Sequence, residues 1–69
     1  MIISDRINEL YATADAALER RDAAKLREVA DTLYQIFYYL CELQDYGAAA
    51  VQCAAEEIYE IANELQKEA

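Results

Sequence analysis

Glu56, Glu60 and Glu64 repeat at four-residue spacing with Glu57 beside them, and they form the densest set of side chains able to do chemistry. Paired carboxylates act as general acid and base when their surroundings drive their proton affinities apart. Inside a helical bundle they can instead hold two metal ions, normally with a Glu-x-x-His pair, and this chain has no histidine. Cys41 and Cys53 are the only thiols and lie too far apart in sequence for a redox Cys-x-x-Cys pair. A zinc ion here would have to recruit carboxylates in place of its usual nitrogen and sulfur ligands. A chain with a single glycine forms neither a glycine-rich phosphate loop nor a nucleophile elbow. The expectation is a protein without catalytic residues, cofactor or metal.

The aromatic residues offer binding rather than catalysis. There are six tyrosines and one phenylalanine, concentrated in Tyr34-Gln35-Ile36-Phe37-Tyr38-Tyr39. If Leu33, Ile36, Phe37 and Leu40 face a core, helical geometry turns Tyr38 nearly away from it and sets Tyr34 and Tyr39 on the flanks. Arg27, Asp31, Tyr34 and Tyr38 then share one outer stripe. Amphipathic rings among charges are what interfaces use as anchors, because each buries much apolar area at little entropic cost. The candidate partner-binding residues are Tyr34, Tyr38, Tyr39, Arg27, Asp31 and Glu42. The alternative is that the rings cover a thin core with their hydroxyls in water. The candidate acidic face, Glu56, Glu57, Glu60 and Glu64, is open to two readings as well: a solvated helix face, or a contact for a basic site on a partner.

The elements that position these residues follow from composition and period. With no proline, one glycine and fourteen alanines, almost the whole chain favours helix. Ile3, Ile7, Leu10, Ala14 and Ala17 form one apolar series in steps of three and four, with Ser4 or Asp5 to cap its start. Leu26, Val29, Leu33, Ile36, Leu40 and Leu43 form a second. Val51, Ala54, Ile58, Ile61 and Leu65 form a third, widened by Ala55 and Ala62. The Asp45-Tyr46-Gly47 stop suits a helix C-terminus closed by a left-handed glycine. A break at Arg20-Arg21-Asp22, with Asp22 as the next cap, would bring the first two stripes into one core, although nothing from Glu19 to Lys25 forbids a continuous helix. The expected fold is all-α, an antiparallel helical hairpin or three-helix bundle in a single domain, 1–69, with helices near 4–20, 22–45 and 48–67. A continuous first helix would make a dimer obligatory, and in the three-helix version a dimer is still expected.

Size and charge narrow the function. A chain of 69 residues buries only about 60% of the surface its unfolded form exposes, so stability is marginal. Among the usual remedies, disulfides, metals and self-association, only the last suits this composition. The net charge is −8, with Arg20, Arg21, Lys25 and Arg27 clustered and no Lys or Arg between residues 28 and 66. Such a surface repels phosphate backbones, so direct nucleic-acid binding is not expected. The basic cluster could pair with an acidic partner or with the chain's own carboxylates. The longest apolar run, Thr32 to Cys41, is too short to span a membrane. The opening Met1-Ile2-Ile3-Ser4-Asp5 lacks the features of an export signal, and the two thiols read as free, so a cytoplasmic, reducing compartment is expected.

Three resemblances can be drawn. The stretch from Leu18-Glu19-Arg20-Arg21-Asp22 to Asp31-Thr32-Leu33 resembles the helical hairpin of histidine phosphotransfer domains. Asp31 stands where those proteins carry the phosphorylated histidine, so the activity does not carry over. The stretch from Asp45-Tyr46-Gly47-Ala48 to Asn63-Glu64-Leu65 looks like one helix of a tetratricopeptide repeat, and one such unit cannot bind as an array does. Over the whole chain, the sequence is similar to the small quorum-sensing anti-activators encoded by Mu-like phages of Pseudomonas, which are short helical dimers. Length, acidity, the Ala/Leu/Glu/Arg-rich helices and the aromatic segment Tyr34 to Tyr39 carry this similarity. It implies an inhibitor in the host bacterial cytoplasm whose partners are a second copy of itself, the activator LasR, whose DNA binding would be blocked, and the pilus assembly ATPase PilB. Tyr38 and Tyr39 would make those contacts. The alternatives are an acidic DNA mimic that occupies a nucleic-acid-binding groove of a host protein, and a structural helical adaptor.

Overall fold

The helical bias of the sequence is interrupted at two places, and in the computed structural model these are where the chain turns. The structure describes residues 3–44 and 47–68, which form helices α1 (Ile3–Glu19), α2 (Ala23–Glu42) and α3 (Ala48–Glu68). No strand is present among the described residues, and the fold is an all-α three-helix bundle. The hairpin alternative and the continuous first helix are thereby set aside.

The first turn is closed from both sides. Arg21 takes a left-handed φ of 54°, its N–H donating to Leu18 O at 3.0 Å, and the N–H of Asp22 reaches back to Ala17 O at 2.9 Å. Those two bonds satisfy carbonyls that the end of α1 would otherwise leave unpaired. Asp22 then caps α2, its carboxylate accepting from the N–H of Lys25 at 3.0 Å. At the other end of the chain's first helix, Ser4 and Asp5 lie inside α1 and do not cap it, because the helix already includes Ile3.

The second turn begins earlier than the expected stop at Asp45-Tyr46-Gly47. α2 ends at Glu42, and the left-handed residue is Gln44, with φ 56° and its N–H donating to Cys41 O at 3.0 Å. Asp45 and Tyr46 lie outside the described residues. The Gly47 carbonyl accepts from Val51 in the first turn of α3. A left-handed side chain costs about 1–2 kcal/mol, which local hydrogen bonds offset.

α2 is the central helix. Leu26, Val29, Ala30, Leu33 and Leu40 are buried along it, and Leu26 and Leu33 are the largest side chains fully enclosed. Each large aliphatic group contributes roughly 1.5–3 kcal/mol when taken fully out of water. The α3 face is centred on Val51, Ala55, Ile58 and Ala62. Ala30, Ala55 and Ala62 have no exposed surface, and such small side chains let the two helices approach closely. This centring rotates Ile61 to the edge, 36% exposed, and Leu43 ends up 57% exposed beyond the last turn of α2, although both belong to the expected core series.

α1 packs on α2 through Leu10, Ala14 and Ala17, with Ile3 and Ile7 partly buried, and scarcely meets α3. The bundle measures 39 × 19 × 13 Å. Three helices in mutual contact at interaxial distances of 8–10 Å would have a cross-section about 14 Å across. α1 and α3 meet at few points, and a groove runs between them.

Candidate functional site

Two helix flanks meet along the α2–α3 seam. The Tyr34 and Tyr59 rings lie 5.8 Å apart at 45°. The Tyr59 hydroxyl donates to the Asp31 carboxylate, and Arg27 donates to Asn63 Oδ1 at 3.0 Å and to Gln66 Oε1. Burial, then the negative charge of Glu56, raises the pKa of Tyr34. The hydrogen bond to Asp31, then burial, raises that of Tyr59. Both phenols therefore stay neutral and act as hydrogen-bonding apolar groups. Of the six candidate partner-binding residues, Arg27, Asp31 and Tyr34 are engaged within the chain. Tyr59, Asn63 and Gln66, which complete the seam, escaped the sequence reading. Their steps of four and three along α3 are the signal that could have found them, since an antiparallel register sets Tyr59 beside Asp31 and Tyr34, and Asn63 with Gln66 beside Arg27.

The other three candidates stay open. Tyr38 is 63% exposed and Tyr39 52% exposed, and Glu42 is exposed one turn further on. The Tyr38 ring rests 5.4 Å from that of Phe37, tilted by 50°. Tyr39 and Leu43 are four residues apart on the same side of α2. Tyr39 also lines a hollow of about 430 Å³ with Ile3, Arg6, Thr32, Gln35 and Ile36, where α1 begins beside α2. Arg6, the one charged residue lining this hollow, is paired with Glu9 at 3.4 Å.

The glutamates of α3 divide between two sides. Glu56 accepts from Gln52 at 3.3 Å and lies toward the tyrosine seam. Glu57, Glu60 and Glu64 flank Ile61 and Leu65 around a shallow hollow of about 350 Å³. Beside it runs the α1–α3 groove, about 320 Å³, where Tyr11, Asp15 and Leu18 face Ala54, Glu57 and Ile61 across a floor of Ala14, Leu26 and Ile58. No protein-family model, curated protein or solved structure matches the chain. The candidate surfaces therefore rest on their own chemistry.

Among the described residues no group of three or more His, Cys, Asp or Glu side chains is placed to hold a metal ion. Cys41 and Cys53 are free and exposed. The basic cluster is partly spent on the chain itself, Arg21 pairing with Glu68 at 3.1 Å. Such exposed ion pairs contribute about 0–1 kcal/mol each. No described helix is long and apolar enough to cross a membrane.

Proposed function

We propose that this chain is a non-catalytic, protein-binding inhibitor that works as a homodimer, in the manner of the phage anti-activators its sequence resembles. Its partners on this reading are a LasR-like transcriptional regulator and a pilus assembly ATPase of the PilB kind. The observation that carries the proposal is the joint exposure of Tyr38, Tyr39 and Leu43, gathered at the C-terminal end of α2. The side bearing Tyr39, Leu43, Ile36 and Ile3 is the self-association surface. Arg6, paired with Glu9, sets a positive charge on this side of an otherwise acidic chain and lowers the repulsion between two copies. Tyr38 lies about 100° further round the helix and is left to anchor the regulator.

The test mixes the purified chain with LasR and follows both co-elution and operator binding. A complex that no longer binds operator, and that Tyr38→Ala weakens while leaving the dimer intact, supports the proposal. Absence of both co-elution and loss of operator binding removes the LasR reading.

A further inference from the structure

We propose that the groove between α1 and α3 is a second docking site, and that its occupant is a basic amphipathic helix of another protein. Three observations on a face separate from Tyr34, Tyr38, Tyr39 and Tyr59 lead there. The first is geometric. α1 and α3 both lean on α2 but scarcely touch each other, so Leu18 and Ile61 stand 41% and 36% exposed on opposite walls. A fourth helix laid between them would cover both, completing a four-helix arrangement about Leu26 and Ile58.

The second observation is the shape of the apolar strip. The groove opens beside the hollow around Ile61 and Leu65, giving an elongated apolar track along α3. A helix presenting apolar anchors at i, i+4 and i+7 matches a track of this kind, as amphipathic helices do in other hydrophobic grooves.

The third is charge. Asp15 stands on the α1 wall, and Glu57, Glu60 and Glu64 on the α3 wall, while no Lys or Arg lines either hollow. Arg21, at the turn that follows α1, is engaged with Glu68. A helix carrying Lys or Arg on both sides of its anchors would meet carboxylates on both rims. A second copy does not fit this description. Seated about a twofold axis, it would bring Glu57, Glu60 and Glu64 against their own counterparts, a costly arrangement. Nor does any of the three helices offer basic residues flanking an exposed apolar strip, since α1 has only Arg6, α2 only Lys25 and Arg27, and α3 only Lys67. The inference concerns a different face from the proposed dimer, so either can fail without the other.

The experiment titrates the full chain into three fluorescent synthetic peptides and reads anisotropy. One is a helix with leucines at i, i+4, i+7 and i+11 flanked by lysines. The second carries glutamates in place of the lysines, and the third is a scramble of the first that has no apolar face. The lysine helix is expected to bind at least tenfold more tightly than either control. Leu18→Ser should weaken it by about tenfold or more, and Glu60→Lys, an exposed change that does not touch the core, should weaken it and flatten its salt dependence. Amide chemical-shift changes should centre on Leu18 and Ile61, and Tyr39→Ser should bind normally. Equal binding of the scramble, shifts centred on Tyr39 and Leu43, or dissociation of a dimer by Leu18→Ser would each overturn the proposal.

Discussion

Tyr34 on α2 and Tyr59 on α3 meet ring to ring across the helix seam, their centroids 5.8 Å apart, and the Tyr59 hydroxyl is held by Asp31 one turn before Tyr34. The contact joins the two longest helices on the side away from α1. Beside it, Asp31 and Arg27 are likewise engaged with α3 while Asp31 stays exposed to solvent.

Alkaline pH should weaken this seam. Both tyrosines have pKa values raised above the ordinary value, about 10, so the unfolded chain loses their protons first. Their contribution is fully present below the unfolded value and is lost as pH rises through the folded ones. Urea unfolding between pH 9 and 11 should show a falling midpoint, and Tyr59→Phe should make the fall shallower. An identical slope in the variant would contradict the hydrogen bond to Asp31.

The Asp22 cap should be measurable by itself. Asp22→Ala removes the acceptor for Lys25 N–H and is expected to cost about 1 kcal/mol. Asp22→Asn, which keeps an acceptor, should recover most of it in thermal melts.

Gln44→Gly is expected to stabilise the fold by several tenths of a kcal/mol to about 1 kcal/mol, because glycine takes a left-handed φ without a side-chain penalty. The gain should appear in the urea midpoint.

Close approach of α2 and α3 can be probed through Ala55. It has no exposed surface, so Ala55→Leu should overpack the interface and cost about 1–3 kcal/mol. Ala50→Leu, on the exposed side of the same helix, should change stability far less. Chemical denaturation of both variants makes the comparison.

Much of this architecture was legible in the residues. The three apolar series place the three helices, and the break at Arg20-Arg21-Asp22 with its cap follows from the need to bring two stripes to one core. Helix ends and rotations were harder to read. Gln44 takes a left-handed position because local hydrogen bonds can offset a cost of about 1–2 kcal/mol. The α3 face turns toward Ala55 and Ala62 because two helices gain more dispersion contact by close approach over alanines than by burying Ile61 at a wider spacing. The tyrosine seam was missed for a related reason. A flank residue is exposed or covered according to what the neighbouring helix brings opposite it, and a single helical wheel carries no such information.

If the exposed apolar groups at the end of α2 serve association between protein chains, as proposed, sedimentation equilibrium will register it. The unmodified chain is expected to run as a dimer at micromolar concentration. Leu43→Asp, at a residue 57% exposed in the isolated bundle, should run as a monomer with unchanged helical circular dichroism. A chain that remains monomeric over the whole concentration range, with or without the substitution, would contradict it.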